Sequence, residues 1–280
     1  MFLAQQQPDG ELITASQAGF LAFTIILAIF AAALVWKLGW SKIGVGWKDQ
    51  PGEGGALLIG SALAWFATVL GGIGGLAMTG WESGAEMGLG ENAAASIVGT
   101  IAVAITCTLA AMFWNLGGMF RSEWKTDTLA GLITFFVTFP LLLALSQLVA
   151  LLDLILTGDT ETVGHETLAL LRESDRGIEW WALVIAVSVF VPIAEEVTYR
   201  GFLQGGLRKV TRSPWIAIFA TTIIFTLMHG GIASPHTLPV IATLSIALGV
   251  VMEKTKSIWP CALAHGIFNA TNVGMAMMVE

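Results

Sequence analysis

Three short constellations in this chain combine residues that can move protons: Glu195-Glu196-Val197-Thr198-Tyr199-Arg200, Phe225-Thr226-Leu227-Met228-His229 and His265-Gly266-Ile267-Phe268-Asn269. Each interrupts a stretch made mostly of apolar residues. A charge carried into a bilayer costs roughly 2.5–3.5 kcal/mol on insertion scales, so it calls for a partner or a task. A carboxylate in an apolar cleft can serve as acid or base near neutral pH. An imidazole can share that proton or help hold a water, and a His/Asn pair can donate to a developing oxyanion. Together they suit general-base activation of water with a polarising group opposite. The reaction that uses all of them is peptide-bond hydrolysis in a membrane cavity.

The spacing within each constellation divides the labour. Glu196 and Arg200 are four apart with the acid first, the favourable order for an intrahelical ion pair, and this leaves Glu196 the alternative of a purely structural role. Glu195 is rotated by about 100° from Glu196 and is expected to face elsewhere. Pro192 lacks a backbone N–H and should kink the helix or free a carbonyl beside the pair. His265 and Asn269, four apart, share one face. Counted at about 1.5 Å per residue from Arg208–Arg212 and from Lys256 as inner boundaries, Glu195, His229, His265 and Asn269 reach overlapping heights of roughly 14–26 Å. This requires the fifth helix to continue through residues 201–207.

The elements that must carry these residues follow from composition. Of 280 residues, 55% are apolar and only 12% charged, with a mean hydropathy of +0.78. Soluble domains carry about 25% charged residues, so lipid is the expected solvent. The expectation is an all-α polytopic integral membrane protein with about eight transmembrane helices, near 16–38, 55–79, 94–118, 128–152, 180–206, 214–230, 238–253 and 258–278. Residues 1–15 read as a polar N-terminal segment, 16–152 as an N-terminal group of four helices, 153–179 as an extracytoplasmic loop, and 180–280 as the unit holding the chemistry, a four-helix core. The N-terminus has no basic region before its first apolar run, so no cleaved signal peptide is expected.

Charge orients the layout. With the N-terminus outside, Lys37, Lys42, Lys48, Arg121, Lys125, Arg200, Arg208, Lys209, Arg212, Lys254 and Lys256 fall towards one side, the cytoplasmic one by the positive-inside rule. Only Arg172 and Arg176 fall on the other, where acidic residues such as Asp9, Glu11, Glu82, Glu86, Glu91, Asp159 and Glu161 collect. Trp36, Trp40, Trp81, Trp124, Trp180, Trp181, Trp215 and Trp259 sit near helix ends, as an interfacial belt should. A prokaryotic cell membrane is the expected location, with both termini outside.

Other features have plainer readings. Cys107 and Cys261 lie in apolar runs and read as small buried hydrophobes rather than a disulfide. Gly71-Gly72-Ile73-Gly74-Gly75 reads as a close-packing surface. His165-Glu166-Thr167-Leu168-Ala169 begins like a zinc motif but lacks its second histidine, so it reads as loop, with a short interfacial helix near 167–171.

The three constellations, in this order and each on its own span, resemble those of the CAAX prenyl-protease and bacteriocin-processing (CPBP, or Abi) family of intramembrane proteases, of the type II CAAX endopeptidase kind. The resemblance covers about residues 180–274. It implies that Glu195 and His229 activate the hydrolytic water, that His265 and Asn269 line the oxyanion site, and that Glu196, Arg200 and Phe225 support it. The substrate would be a membrane-associated protein or peptide, and no nucleic-acid partner is expected. A metal-free, glutamate-activated water is the favoured mechanism, with zinc on His229, His265 and Glu195 as the alternative. An aspartyl mechanism lacks aspartates well inside spans, and a serine mechanism has only Ser41, in a basic loop. The rivals from other classes are a proton-coupled transporter, which predicts inverted repeats, and a catalytically silent immunity or scaffold protein.

Overall fold

The computed structural model describes residues 14–37, 53–114, 122–157, 166–231, 233–234 and 237–278. Expectations attached to Asp9, Glu11, Trp40, Ser41, Lys42, Lys48, Arg121, Asp159, Glu161 and His165 lie outside these residues. The described chain forms nine helices: α1 Ala15–Lys37, α2 Gly54–Thr79, α3 Leu89–Phe113, α4 Trp124–Thr157, α5 Glu166–Glu173, α6 Ile178–Thr211, α7 Pro214–His229, α8 Leu238–Thr255 and α9 Trp259–Ala276. Six of them, α1, α2, α3, α4, α6 and α8, are long and apolar enough to cross a bilayer. At 16 residues α7 is shorter, and α9 is interrupted by His265, Asn269 and Asn272. The outward faces are apolar: Phe30, Leu70, Met112 and Ile223 are all exposed. A soluble protein rarely shows such a continuous surface, so the chain is an integral, multi-pass membrane protein.

Several boundaries differ from expectation for local reasons. Helix α3 begins five residues early, at Leu89, where Glu91 falls in the first turn and complements the helix dipole. The start of α4 is held by Asp127, whose Oδ2 accepts from Ser122 Oγ, from the Glu123 N–H and, across the bundle, from Ser257 Oγ at 2.9 Å. The short helix expected near 167–171 is α5. Trp180, expected in an interfacial belt, is buried and donates its Nε1–H to the Leu171 carbonyl at 2.8 Å, fastening α5 to α6. Trp124 and Trp181 are exposed, as belt residues would be.

The first helices brace the later ones. The glycine run does pack: a Cβ at Gly71 would lie 2.8 Å from the Cα of Gly99 on α3, and one at Gly75 would meet the Ala94 backbone. On the other side of α2, a Cβ at Gly60 would fall 2.5 Å from the ring of Phe202, which is fully buried on α6. Helix α1 lies against α4, and buried Gln147 of α4 donates to Thr24 Oγ1 at 3.1 Å. Both cysteines are buried and unpaired, as expected of small hydrophobes.

Candidate active site

Helix α6 runs unbroken from Ile178 to Thr211, so it does continue through 201–207, but it is not regular. Two stretches, Ala186–Phe190 and Val197–Gln204, are π-helical and flank the segment Val191–Glu196. Wide turns of this kind recur at functional sites. Pro192 supplies a cause for the first, because it has no N–H to donate. At the start of the second, the Thr198 hydroxyl donates to the Ala194 carbonyl at 2.8 Å, a back-bond that loosens the regular ladder.

The second wide stretch aligns a polar stripe. In an α-helix, residues four apart overshoot one turn by about 40°, and a wider turn reduces that drift. Glu196, Arg200, Gln204 and Arg208 follow one another at this spacing and are all buried. Arg200 Nη2 donates to Ser245 Oγ at 3.2 Å, and Gln204 Nε2 donates to the Gly249 carbonyl at 3.0 Å and to Glu253 Oε1 at 3.2 Å. Arg208 Nε stands 3.8 Å from Glu253 Oε2. The partners on α8 advance in the same order, so α6 and α8 run parallel. Arg208 is thus a buried partner of Glu253 rather than a loop charge. Lys256, just past α8, also meets Glu253, at 3.5 Å. Burial pushes the Lys256 ammonium below the ordinary lysine value, and Glu253 opposes that shift.

At the head of the stripe the three constellations converge. Glu196 Oε2 lies 3.2 Å from Arg200 Nε, both side chains fully buried. The two atoms are not aligned as a hydrogen bond, so charge attraction holds the pair. Glu196 Oε1 accepts from His265 Nδ1 at 2.9 Å. His229 Nδ1 donates to the Phe225 carbonyl at 2.8 Å, since a carbonyl oxygen can only accept. Both imidazoles therefore turn Nε2 towards Glu195: His229 Nε2 is 3.9 Å from Oε1, and His265 Nε2 is 3.7 Å from Oε2. These separations exceed a direct hydrogen bond and suit a bridging water. Glu195 is the most accessible of the group at 24%, against 15% for His229 and 5% for His265.

The expected division of the acidic pair needs one correction. Glu196 does meet Arg200 and Glu195 does face His229, but the two also address the two nitrogens of one imidazole, His265. Phe225 is a hub beneath them: its ring lies 5.0 Å from the Arg200 guanidinium, 5.0 Å from the Tyr199 ring and 4.5 Å from His229. Asn269 directs its Nδ2 to the Val187 carbonyl at 2.9 Å. Sequence reasoning missed Ser245 and Thr222, whose hydroxyls lie 3.1 Å apart behind Arg200, although small polar residues within spans were visible. It also missed the stripe that continues through Gln204 to Arg208, for which the four-residue spacing was the available signal.

Among the described residues no group of three or more His, Cys, Asp or Glu side chains is arranged to hold a metal ion. A zinc ion would draw two imidazole nitrogens and a carboxylate oxygen to about 2.0–2.2 Å from one point. Here the two nitrogens address opposite oxygens of Glu195, at 3.9 and 3.7 Å, so the side chains would have to close in to hold that ion.

No curated protein and no solved structure matches the chain. A family model does, over residues 177–271, described as type II CAAX prenyl endopeptidase Rce1-like. That stretch contains Glu195, Glu196, Arg200, Phe225, His229, His265 and Asn269, so over residues 177–271 the chain is similar to the Rce1-like type II CAAX prenyl endopeptidases.

Proposed function

We propose that the protein is an intramembrane endopeptidase that hydrolyses a peptide bond of a membrane-associated, CAAX-type substrate with a water activated by Glu195 and His229. The observation that carries this reading is the convergence of His229 Nε2 and His265 Nε2 on the two oxygens of the accessible Glu195 carboxylate. Water held by Glu195 and His229 attacks the scissile carbonyl carbon, and Glu195 takes its proton. His265 is held by Glu196 through Nδ1 and turns Nε2 towards the developing oxyanion. As the tetrahedral intermediate collapses, the C–N bond breaks and the proton on Glu195 passes to the leaving amine. Arg200 balances the charge of Glu196, which orients His265. The reading takes the metal-free form of the reaction. The basic ends of α6 and α8 support a cavity open to the cytoplasm.

The test is cleavage of a quenched-fluorescence farnesylated CAAX peptide by purified protein, comparing wild type with Glu195→Ala and His229→Ala, with and without chelator. Cleavage that survives Glu195→Ala sinks the mechanism. Loss to chelator that zinc restores overturns its metal-free form.

A further inference from the structure

The catalytic helix is interrupted in its backbone bonding two turns before Glu195. In the first π-helical stretch the Val191 N–H reaches back five residues to the Ala186 carbonyl. Continued in that register, the next bond would join Pro192 to Val187; in the α register it would join Pro192 to Ser188. Proline has no hydrogen to give, so in the register seen at Val191 the Val187 carbonyl is left without its helical donor. This turn meets α9. Asn269 Nδ2 donates to the Val187 carbonyl at 2.9 Å, and a Cβ built on Gly266 would stand 2.6 Å from the Ser188 oxygen. Gly266 and Asn269 are three apart and share a face of α9, beside His265. A donor thus faces the carbonyl that Pro192 leaves without one, and a bare Cα lets α9 approach beside it.

We propose that Asn269 is a positioning residue: its amide replaces the N–H that Pro192 lacks, clasps the widened turn of α6 against α9, and so sets where Glu195, three residues past the proline, meets His265. This rests on the assignment of Glu195 and His265 as the reacting groups, and it gives Asn269 a task other than touching the oxyanion. The two roles separate cleanly. With Pro192→Ala, either register supplies Val187 with a backbone donor, from residue 192 or residue 191. If Asn269 acts through that carbonyl, it becomes dispensable. If it touches the reacting oxygen, it does not.

The experiment uses the full chain in proteoliposomes as wild type, Asn269→Ala, Pro192→Ala and the double variant. It reads hydrogen exchange of residues 186–197 alongside kcat and KM on the farnesylated peptide. A stranded buried carbonyl corresponds to a roughly ten- to hundredfold effect. Asn269→Ala should therefore speed exchange in that segment and lower kcat by about that factor, with KM changed less than about threefold. The double variant should return to within about threefold of Pro192→Ala in both readouts. Unchanged exchange in Asn269→Ala overturns the proposal, as does a kcat loss that Pro192→Ala fails to restore. If Pro192→Ala does not fold, Gly266→Ala decides: its Cβ must displace the same turn, so its losses should not add to those of Asn269→Ala, and additive losses overturn the clasp. Should wild type leave the peptide intact while exchange follows the expected pattern, the clasp stands and the proteolytic reading falls.

Discussion

Glu196→Gln is the sharpest probe of the buried charge at the head of the α6 stripe. It keeps the shape of the side chain and removes one charge from a pair in which both partners are fully buried and 3.2 Å apart. At an effective dielectric of about 20, a pair at that distance attracts by roughly 5 kcal/mol. Removing one partner of a buried pair costs roughly 3–5 kcal/mol, because the other charge is left uncompensated. Arg200 has little to fall back on, since Nη1 has no hydrogen-bond partner and Nη2 reaches only Ser245. For a chain of this size 1 kcal/mol moves Tm by roughly 2–4 °C, so the drop should be about 6–20 °C. The assay is thermal unfolding in detergent, followed by tryptophan fluorescence. Replacing both partners, Glu196→Gln with Arg200→Met, leaves no orphaned charge and should lose less than Glu196→Gln alone. A Glu196→Gln protein melting within about 1 °C of wild type, or a double variant less stable than the two single losses summed, would refute the reasoning.

Three further outcomes follow from neighbouring geometry. Glu195→Gln should keep the wild-type Tm within about 2 °C, because its nearest imidazole nitrogens stand at 3.7 and 3.9 Å, while cleavage of the farnesylated peptide falls roughly 10²–10⁴-fold; parallel losses of both would mark it as structural. Gly60→Ala puts a Cβ 2.5 Å from the buried Phe202 ring and should cost roughly 1–3 kcal/mol in SDS-driven unfolding, partly relieved by Phe202→Leu; no relief would place the strain elsewhere. Gln147→Leu removes the bond to Thr24 but also the buried Oε1 that has no partner. Its stability should stay within about 1 kcal/mol of wild type, and a loss above roughly 2 kcal/mol in the same unfolding assay would contradict that balance.

Much of the site was legible because its signals are local. A carboxylate pair, two histidines and an asparagine set in apolar runs stand out against lipid, and rise per residue alone brought Glu195, His229 and His265 to overlapping heights. The structure joins them within 3.9 Å. The interruption at Pro192 was legible for the same reason, since a missing N–H is a property of one residue. Less visible was that both glutamates would share His265. Rotation about a helix axis says which way a side chain leaves its own helix, not which neighbour stands there.

What the sequence determined by itself was the solvent, the approximate helix positions, the charge asymmetry and the residue types available for chemistry. These depend on transfer free energies and on helical periods that each segment carries alone. Tertiary structure decided the rest. It set the wide turns on either side of Glu195-Glu196, the alignment of Arg200, Gln204 and Arg208 with Ser245, Gly249 and Glu253, and the contact of Phe202 with Gly60. It also turned Asn269 to the Val187 carbonyl. A buried carbonyl that its own helix leaves without a donor needs one from elsewhere, and here packing between segments distant in the chain supplies it.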